Sequence, residues 1–255
     1  MAISCSSLQK FLNNLLSPDS FCDYCPNGLQ IEGRKQICKI AFAVSATRDS
    51  VDQACAWQAD ALVVHHGLFW KFHGARTLTG PFARRVAPLI KRDVNLFAYH
   101  LPLDAQPEIG NAASLGRLLG VQNQQPFGDY KGSPTGIRGV FSSPLSASQL
   151  KQKLAQLLAH SIILASPDDQ QIIRSIGIIT GGANSDWQLA LQEGLDAYLT
   201  GEISEHDWHE SQEHGIHMFA GGHHATEKFG IQALMQKTQD QFAVECCYID
   251  SDNPA

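Results

Sequence analysis

Apolar residues recur along the chain with two periods, about 3.6 residues in some segments and short continuous or alternating runs in others, which is the primary signal for helices and strands. Leu8, Phe11, Leu12, Leu15 and Leu16 fall at helical spacing, with Ser6 or Ser7 as cap and Ser17-Pro18 as stop. A turn-rich loop through Pro26-Asn27-Gly28 follows. The pattern then predicts strand Ile40 to Ser45, a helix from Asp49, strand Ala61 to His65, a helix from Pro81, strand Leu96 to Tyr99, and a helix from Asn111 that stops at Gly120. Farther on it predicts strand Gly136 to Phe141 and a helix opened by Ser146 with Leu150, Leu154, Leu157 and Leu158 on one face. Strands Ile162 to Ala165 and Ile176 to Thr180 come next, then a helix near Trp187, strand Asp196 to Thr200, a helix from Ser204, strand His217 to Ala220, a helix through Leu234, and a last strand within Ala243 to Ile249. Alternation of this kind predicts an α/β fold with largely parallel sheets flanked by helices.

The second half repeats the order of the first. Sliding Lys39–His66 onto Ser175–Glu202 without a gap aligns Ile40 with Ile176, Ala54 with Ala190, Asp60 with Asp196 and Ala61 with Ala197. Phe97-Ala98 then matches Phe219-Ala220, the first half carrying a longer connection around Trp70 and His73. We expect an internal duplication, with one α/β half over residues 1–125 and a second over 126–255.

Composition narrows the function classes. The 255 residues are 44% hydrophobic, ample for a buried core, and the net charge of -6 comes with no Lys/Arg run able to follow a phosphate backbone. Duplex nucleic acid is not an expected partner, while a small molecule such as a nucleotide is. No apolar run approaches the roughly 20 residues of a spanning helix, and Met1 to Lys10 has no basic leader, so no membrane association and a cytoplasmic location are expected. Seven cysteines, an odd number in a chain that does not need staples, point to reduced thiols. Cys22 and Cys25 form one CxxC with no second pair, and Cys246-Cys247 lie in a strand; all four read as non-ligands.

The candidate chemistry sits at strand ends. His65-His66 closes one predicted strand, His100 and Asp104 follow another, Glu202 closes the counterpart of the first, and His223 follows the counterpart of the second. Carboxyl ends of parallel strands are where open α/β sheets bind ligands. Gly67 lets the backbone turn directly after the two histidines, and His223 and Glu227 stand four apart at the start of a helix, on one face. Imidazole and carboxylate donors suit zinc, manganese, iron, cobalt or nickel. Five ligands exceed what one catalytic ion needs, and Asp104 and Glu227 could bridge two ions about 3.5 to 4 Å apart. His206 and His209, among Glu205, Asp207 and Glu210, read as a solvated helix face. His73, near Trp70 and Phe72, reads as part of a lid or a subunit contact.

The segments Asp23-Tyr24-Cys25-Pro26-Asn27-Gly28-Leu29-Gln30, Asp60 to Gly67, His100-Leu101-Pro102-Leu103-Asp104, Gly110-Asn111, Thr180-Gly181-Gly182, Thr200-Gly201-Glu202 and Gly222 to Glu227, in this order, resemble the NIF-three-like dinuclear metal proteins, also labelled GTP cyclohydrolase 1 type 2 homologues, in their short bacterial form. The resemblance implies that His65, His66, Asp104, His223 and Glu227 bind two divalent metal ions. It also implies two interlocked α/β halves with the metal site between them, and a homohexamer built as a trimer of dimers. A metal-dependent hydrolase acting on a nucleotide or related heterocycle is the expected function, with His100 shuttling protons and Glu202 orienting water, or both supporting the ligands. The alternative is a non-catalytic metal-binding scaffold acting through its oligomer and partners. The chain lacks a P-loop and a G-x-S-x-G elbow.

Overall fold

The computed structural model describes residues 2–255, which divide into two compact units. One comprises the chain up to Leu103 together with Ile231–Asp252, the other Asp104–Gly230 together with Asn253–Ala255.

The first unit is built on a five-stranded sheet in the order Glu245–Tyr248, Lys39–Ser45, Ala61–His66, Asn95–Ala98, Gly28–Ile31. The first four strands run parallel and only Gly28–Ile31 is antiparallel. Ile40 to Val44 and Ala61 to Val64 are buried without interruption, as expected of parallel strands covered on both faces. Ala41, Ala43, Leu62, Val64, Leu96 and Ala98 share one core with Val51 and Ala54 of helix Arg48–Ala56 and Phe82, Val86 and Leu89 of helix Gly80–Lys91. The first helix, Cys5–Leu16, is capped by Ser4, whose Oγ accepts from Ser7 N at 3.0 Å, so the cap lies ahead of both expected serines. Beyond the turn expected at Pro26-Asn27-Gly28, Gly28–Ile31 forms an edge strand; it is entered through Gly28 at φ 100°, a backbone conformation natural only to glycine.

The second unit holds a six-stranded sheet in the order Val121–Phe127, Gly136–Ser146, Ile172–Ile178, Ala197–Thr200, His217–Ala220, Ile163–Ala165. The middle three strands are parallel and the flanking pairings antiparallel. Neighbouring residues on its strands serve opposite faces. Leu199 and Phe219 pack with Leu150, Leu154 and Leu158, whereas Tyr198 and Met218 pack with Trp187 and Ile216. Helix Ala147–Leu158 begins with a reciprocal cap between Ser146 and Gln149, and helix Asn111–Leu119 ends on Gly120 at φ 81°.

The repeat is present at the level of single hydrogen bonds. Ile40 lies opposite Ala61 as Ile176 lies opposite Ala197. Asp60 Oδ2 accepts from the amides of Cys38 and Lys39 at 2.6 and 3.0 Å, and Asp196 Oδ2 accepts from those of Arg174 and Ser175 at 2.8 and 2.9 Å. Tyr99 N donates to Val64 O, and Gly221 N donates to Thr200 O. Both units are therefore mixed α/β with a parallel centre, and each carries candidate side chains at or just after the carboxyl ends of its parallel strands.

Candidate metal centre

In the first unit the strand Ala61–His66 ends on the paired histidines, and His100 follows the neighbouring strand Asn95–Ala98. The three imidazoles cluster, with ring centroids 4.5 Å apart for His65 and His66, 5.0 Å for His65 and His100, and 5.6 Å for His66 and His100. Each offers a ligand atom within 4.8 Å of the other two, so the group could hold a metal ion. Their orientation is fixed from behind. His65 Nδ1 donates to the Tyr99 carbonyl at 3.0 Å, His66 Nδ1 bonds Ser45 Oγ at 3.0 Å, and His100 Nδ1 donates to Asp23 Oδ1 at 3.0 Å. An imidazole held through Nδ1 turns Nε2 forward, the usual posture of a metal-binding or proton-carrying histidine.

Asp23 is buried and also accepts from the amides of Tyr24, Cys25 and Leu101 and from Asn27 Nδ2. Burial by itself would raise its carboxyl, but the bond and charge of His100, with Asn27 and Leu101, hold it well below the usual carboxylate range. The sequence pattern alone assigns Asp23 no role. The signal was there, since an aspartate just ahead of Pro26-Asn27-Gly28 is the kind of residue that hydrogen-bonds its own turn. Cys25 comes within the same reach of Asp23 and His100, while Cys22 is exposed and joins no such group among the described residues.

In the second unit His223 opens the helix His223–Phe242, with Glu227 one turn on. His223 Nε2 lies 3.3 Å from Glu227 Oε1, and its Nδ1 lies 2.5 Å from Glu202 Oε1. Burial would lower this imidazole, yet the bonds and charges of Glu227 and then Glu202 push it up to about 9. Glu227 is buried at 3% exposure, which for a carboxylate needs positive partners. Asp104, also buried, accepts from Asn111 Nδ2 at 2.8 Å and Thr180 Oγ1 at 3.4 Å, and Asn111 Oδ1 in turn accepts from Gly230 N. The loop after Ile172–Ile178 closes on this group: at Gly181, with φ 71°, a Cβ would stand 2.2 Å from Glu227 Oε1 and 3.2 Å from His223 Nε2, so the Glu227 carboxylate would have to move to admit it. Asn111, Thr180 and Gly181 were not read from the sequence as supports, because their role depends on contacts distant along the chain.

In each unit the donor types, imidazoles in the first and an imidazole with carboxylates in the second, have oriented outer partners and are of the kind that divalent cations take. The remaining histidines behave otherwise. His206 and His209 are exposed and pair with Asp207 and Glu205. Asp207 itself departs from the expected solvated face: it is fully buried and accepts from Trp187 Nε1 at 2.9 Å. All seven cysteines are free thiols. No described helix is long and apolar enough to cross a membrane.

A family model described as Duf34/NIF3 (NGG1p interacting factor 3) matches residues 3–254. Proteins named GTP cyclohydrolase 1 type 2 homolog from Pasteurella multocida and Pseudomonas aeruginosa are each 40% identical to the chain, over 97% and 100% of it and 98% and 100% of their own lengths. Among solved structures, a structural-genomics protein titled ybgI, of unknown function, superposes with a TM-score of 0.92 at 35% identity, covering 99% of this chain and 100% of its own. A Thermus thermophilus protein superposes with a TM-score of 0.90 at 28% identity, with the same coverage of both chains.

Proposed function

Since the chain belongs to the Duf34/NIF3 family, we propose that it is a dinuclear metal-dependent hydrolase acting on a nucleotide or related heterocycle, in the manner of a GTP cyclohydrolase. His65, His66, Asp104, His223 and Glu227 are the residues that would hold two divalent ions, and a carboxylate such as Asp104 or Glu227 could serve both. The observation that carries the reading is the common posture of the histidines, each committing Nδ1 to an oxygen: His65 to Tyr99, His66 to Ser45, and His223 to Glu202. Outer partners of this kind orient metal ligands and raise their basicity.

Bound ions would supply Lewis acidity, lowering the pKa of a water and polarising the bond it attacks. His100 has a different part. Held by Asp23 through Nδ1, it keeps Nε2 for taking a proton from the attacking water or returning one to the leaving atom. Asp23 stays ionised and steadies the imidazolium form whenever His100 carries the proton. Glu202 is proposed as the positioning residue of His223. A cytoplasmic ring-shaped hexamer, a trimer of dimers, belongs to the same proposal.

The test is a screen of metal-reconstituted protein against nucleotides and phosphoesters, with Glu227→Gln as the inactive control. Turnover that follows metal content supports the hydrolase. Full metal content with no turnover of any substrate would replace it with the non-catalytic scaffold.

A further inference from the structure

Beyond the imidazoles, the first unit carries a run of aromatic rings that none of the ligand roles uses. After the strand Ala61–His66 the chain passes through Trp70 and a single helical turn, Lys71–His73. Trp70 and Phe72 are nearly parallel, with centroids 5.5 Å apart and an interplanar angle of 23°. Tyr24 adds a third ring, 5.6 Å from Trp70 and 6.1 Å from Phe72. The run begins at the histidine cluster itself: the Trp70 ring lies 5.8 Å from His66 and 5.1 Å from His100, and Tyr24 lies 5.0 Å from His100.

These rings are held in place before any ligand arrives. Trp70 Nε1 donates to Gly67 O at 3.1 Å, Lys71 N donates to Tyr24 O at 2.8 Å, and Lys71 Nζ donates to Asp23 O at 2.5 Å. Asp23 is the residue that holds His100, so the platform and the histidine share one anchor. Yet Phe72 at the outer end is 67% exposed. A large ring packed against Trp70 and yet in contact with water is a poor arrangement for the core and a good one for stacking a planar ligand. Along the connection itself, from Gly67 to Gly80, the ionisable side chains are Lys71, His73 and Arg76, with no Asp or Glu. Such a segment favours an anion.

We propose that Phe72 and Trp70 form a stacking subsite for the ring of a planar, anionic heterocycle, which they present to His66 and His100. The subsite rests on the hydrolase reading for its purpose, and its binding is measured separately from turnover. The experiment is calorimetric titration of the full-length protein with GMP and with orotate as planar anions, and with ribose 5-phosphate as an anion without an aromatic ring. Metal content and mass in light scattering are read on every sample. At least one planar anion is expected to bind more tightly than ribose 5-phosphate. Phe72→Ala should weaken it about tenfold, the scale of one lost stacking contact, and Phe72→Tyr should restore it, with metal content and mass unchanged. Equal binding by wild type and Phe72→Ala, no preference for a planar anion, or a Phe72→Ala protein of smaller mass, which would make Phe72 a subunit contact, each overturns the proposal. A wild-type protein without metal that still shows the Phe72 effect refutes the dinuclear reading and leaves the subsite standing.

Discussion

Glu202 Oε1 lies 2.5 Å from His223 Nδ1, on the side of the ring opposite Glu227. The glutamate follows the strand Ala197–Thr200 and the histidine follows His217–Ala220, so two parallel strand ends bring together residues 21 apart in sequence. If this bond orients His223 toward a metal, Glu202→Gln should lower metal affinity by about 10- to 100-fold, the usual effect of losing an outer partner. Competition against a chelating dye would measure it. An unchanged affinity would leave Glu202 a surface residue that merely pairs with a histidine.

Gly181 and Gly182 allow a test of the space around Glu227. Alanine at Gly181 meets φ 71° and a carboxylate oxygen 2.2 Å from its Cβ, whereas alanine at Gly182 finds Glu202 no closer than 3.5 Å, an ordinary contact. The left-handed conformation alone costs a non-glycine residue about 1 kcal/mol. Gly181→Ala should therefore lower both the denaturation midpoint and the metal content, with Gly182→Ala close to wild type in each. Equal behaviour of the two variants in elemental analysis would contradict the cradle.

How much of this was legible in the sequence follows from the range of the interactions involved. The repeat was readable because Asp60 and Asp196 do the same work, each tying the preceding parallel strand through two consecutive amides. The strand ends bearing His65, His66 and Glu202 were readable because apolar runs stop there. The edge strand Gly28–Ile31 was not, since turn residues dominate its entry and its partner Asn95–Ala98 is remote in sequence. Asp207 was misplaced on a solvated face because its neighbours are charged and its actual partner, the Trp187 indole, is 20 residues away. Asn111, Thr180 and the bond of Asp23 to His100 escaped for the same reason: each supports a residue that sequence alone does not put beside it.

Acid should destabilise the second unit through His217. This residue is fully buried, its Nδ1 bonds Ser166 Oγ at 2.9 Å, and burial pushes its imidazole below the ordinary 6.5 against the opposing charges of Asp196, Asp168 and Asp169. Below pH 6.5 the unfolded chain binds a proton that the folded chain refuses, so stability falls as pH falls from 6.5 toward the folded value. The repeat places Asn95, also buried and not titratable, at the corresponding position of the first unit. His217→Asn should flatten the loss of urea midpoint between about pH 7.5 and 5.5. Comparison of the variant with wild type isolates His217 from His223, whose raised imidazole acts in the opposite sense. An identical slope in the two proteins would mean that acid acts elsewhere.

The central claim is that Glu227 is a carboxylate shared by two metal ions, and its most direct measurement is elemental analysis of folded Glu227→Gln beside wild type. Glutamine keeps the size and hydrogen bonding and removes the charge that would neutralise two nearby cations. His209→Gln, on the exposed helix Glu205–Glu213, is the control. The account predicts that wild type and His209→Gln hold two equivalents per chain, while Glu227→Gln, with an unchanged circular dichroism spectrum, loses at least one. Two equivalents retained by a folded Glu227→Gln protein would contradict it.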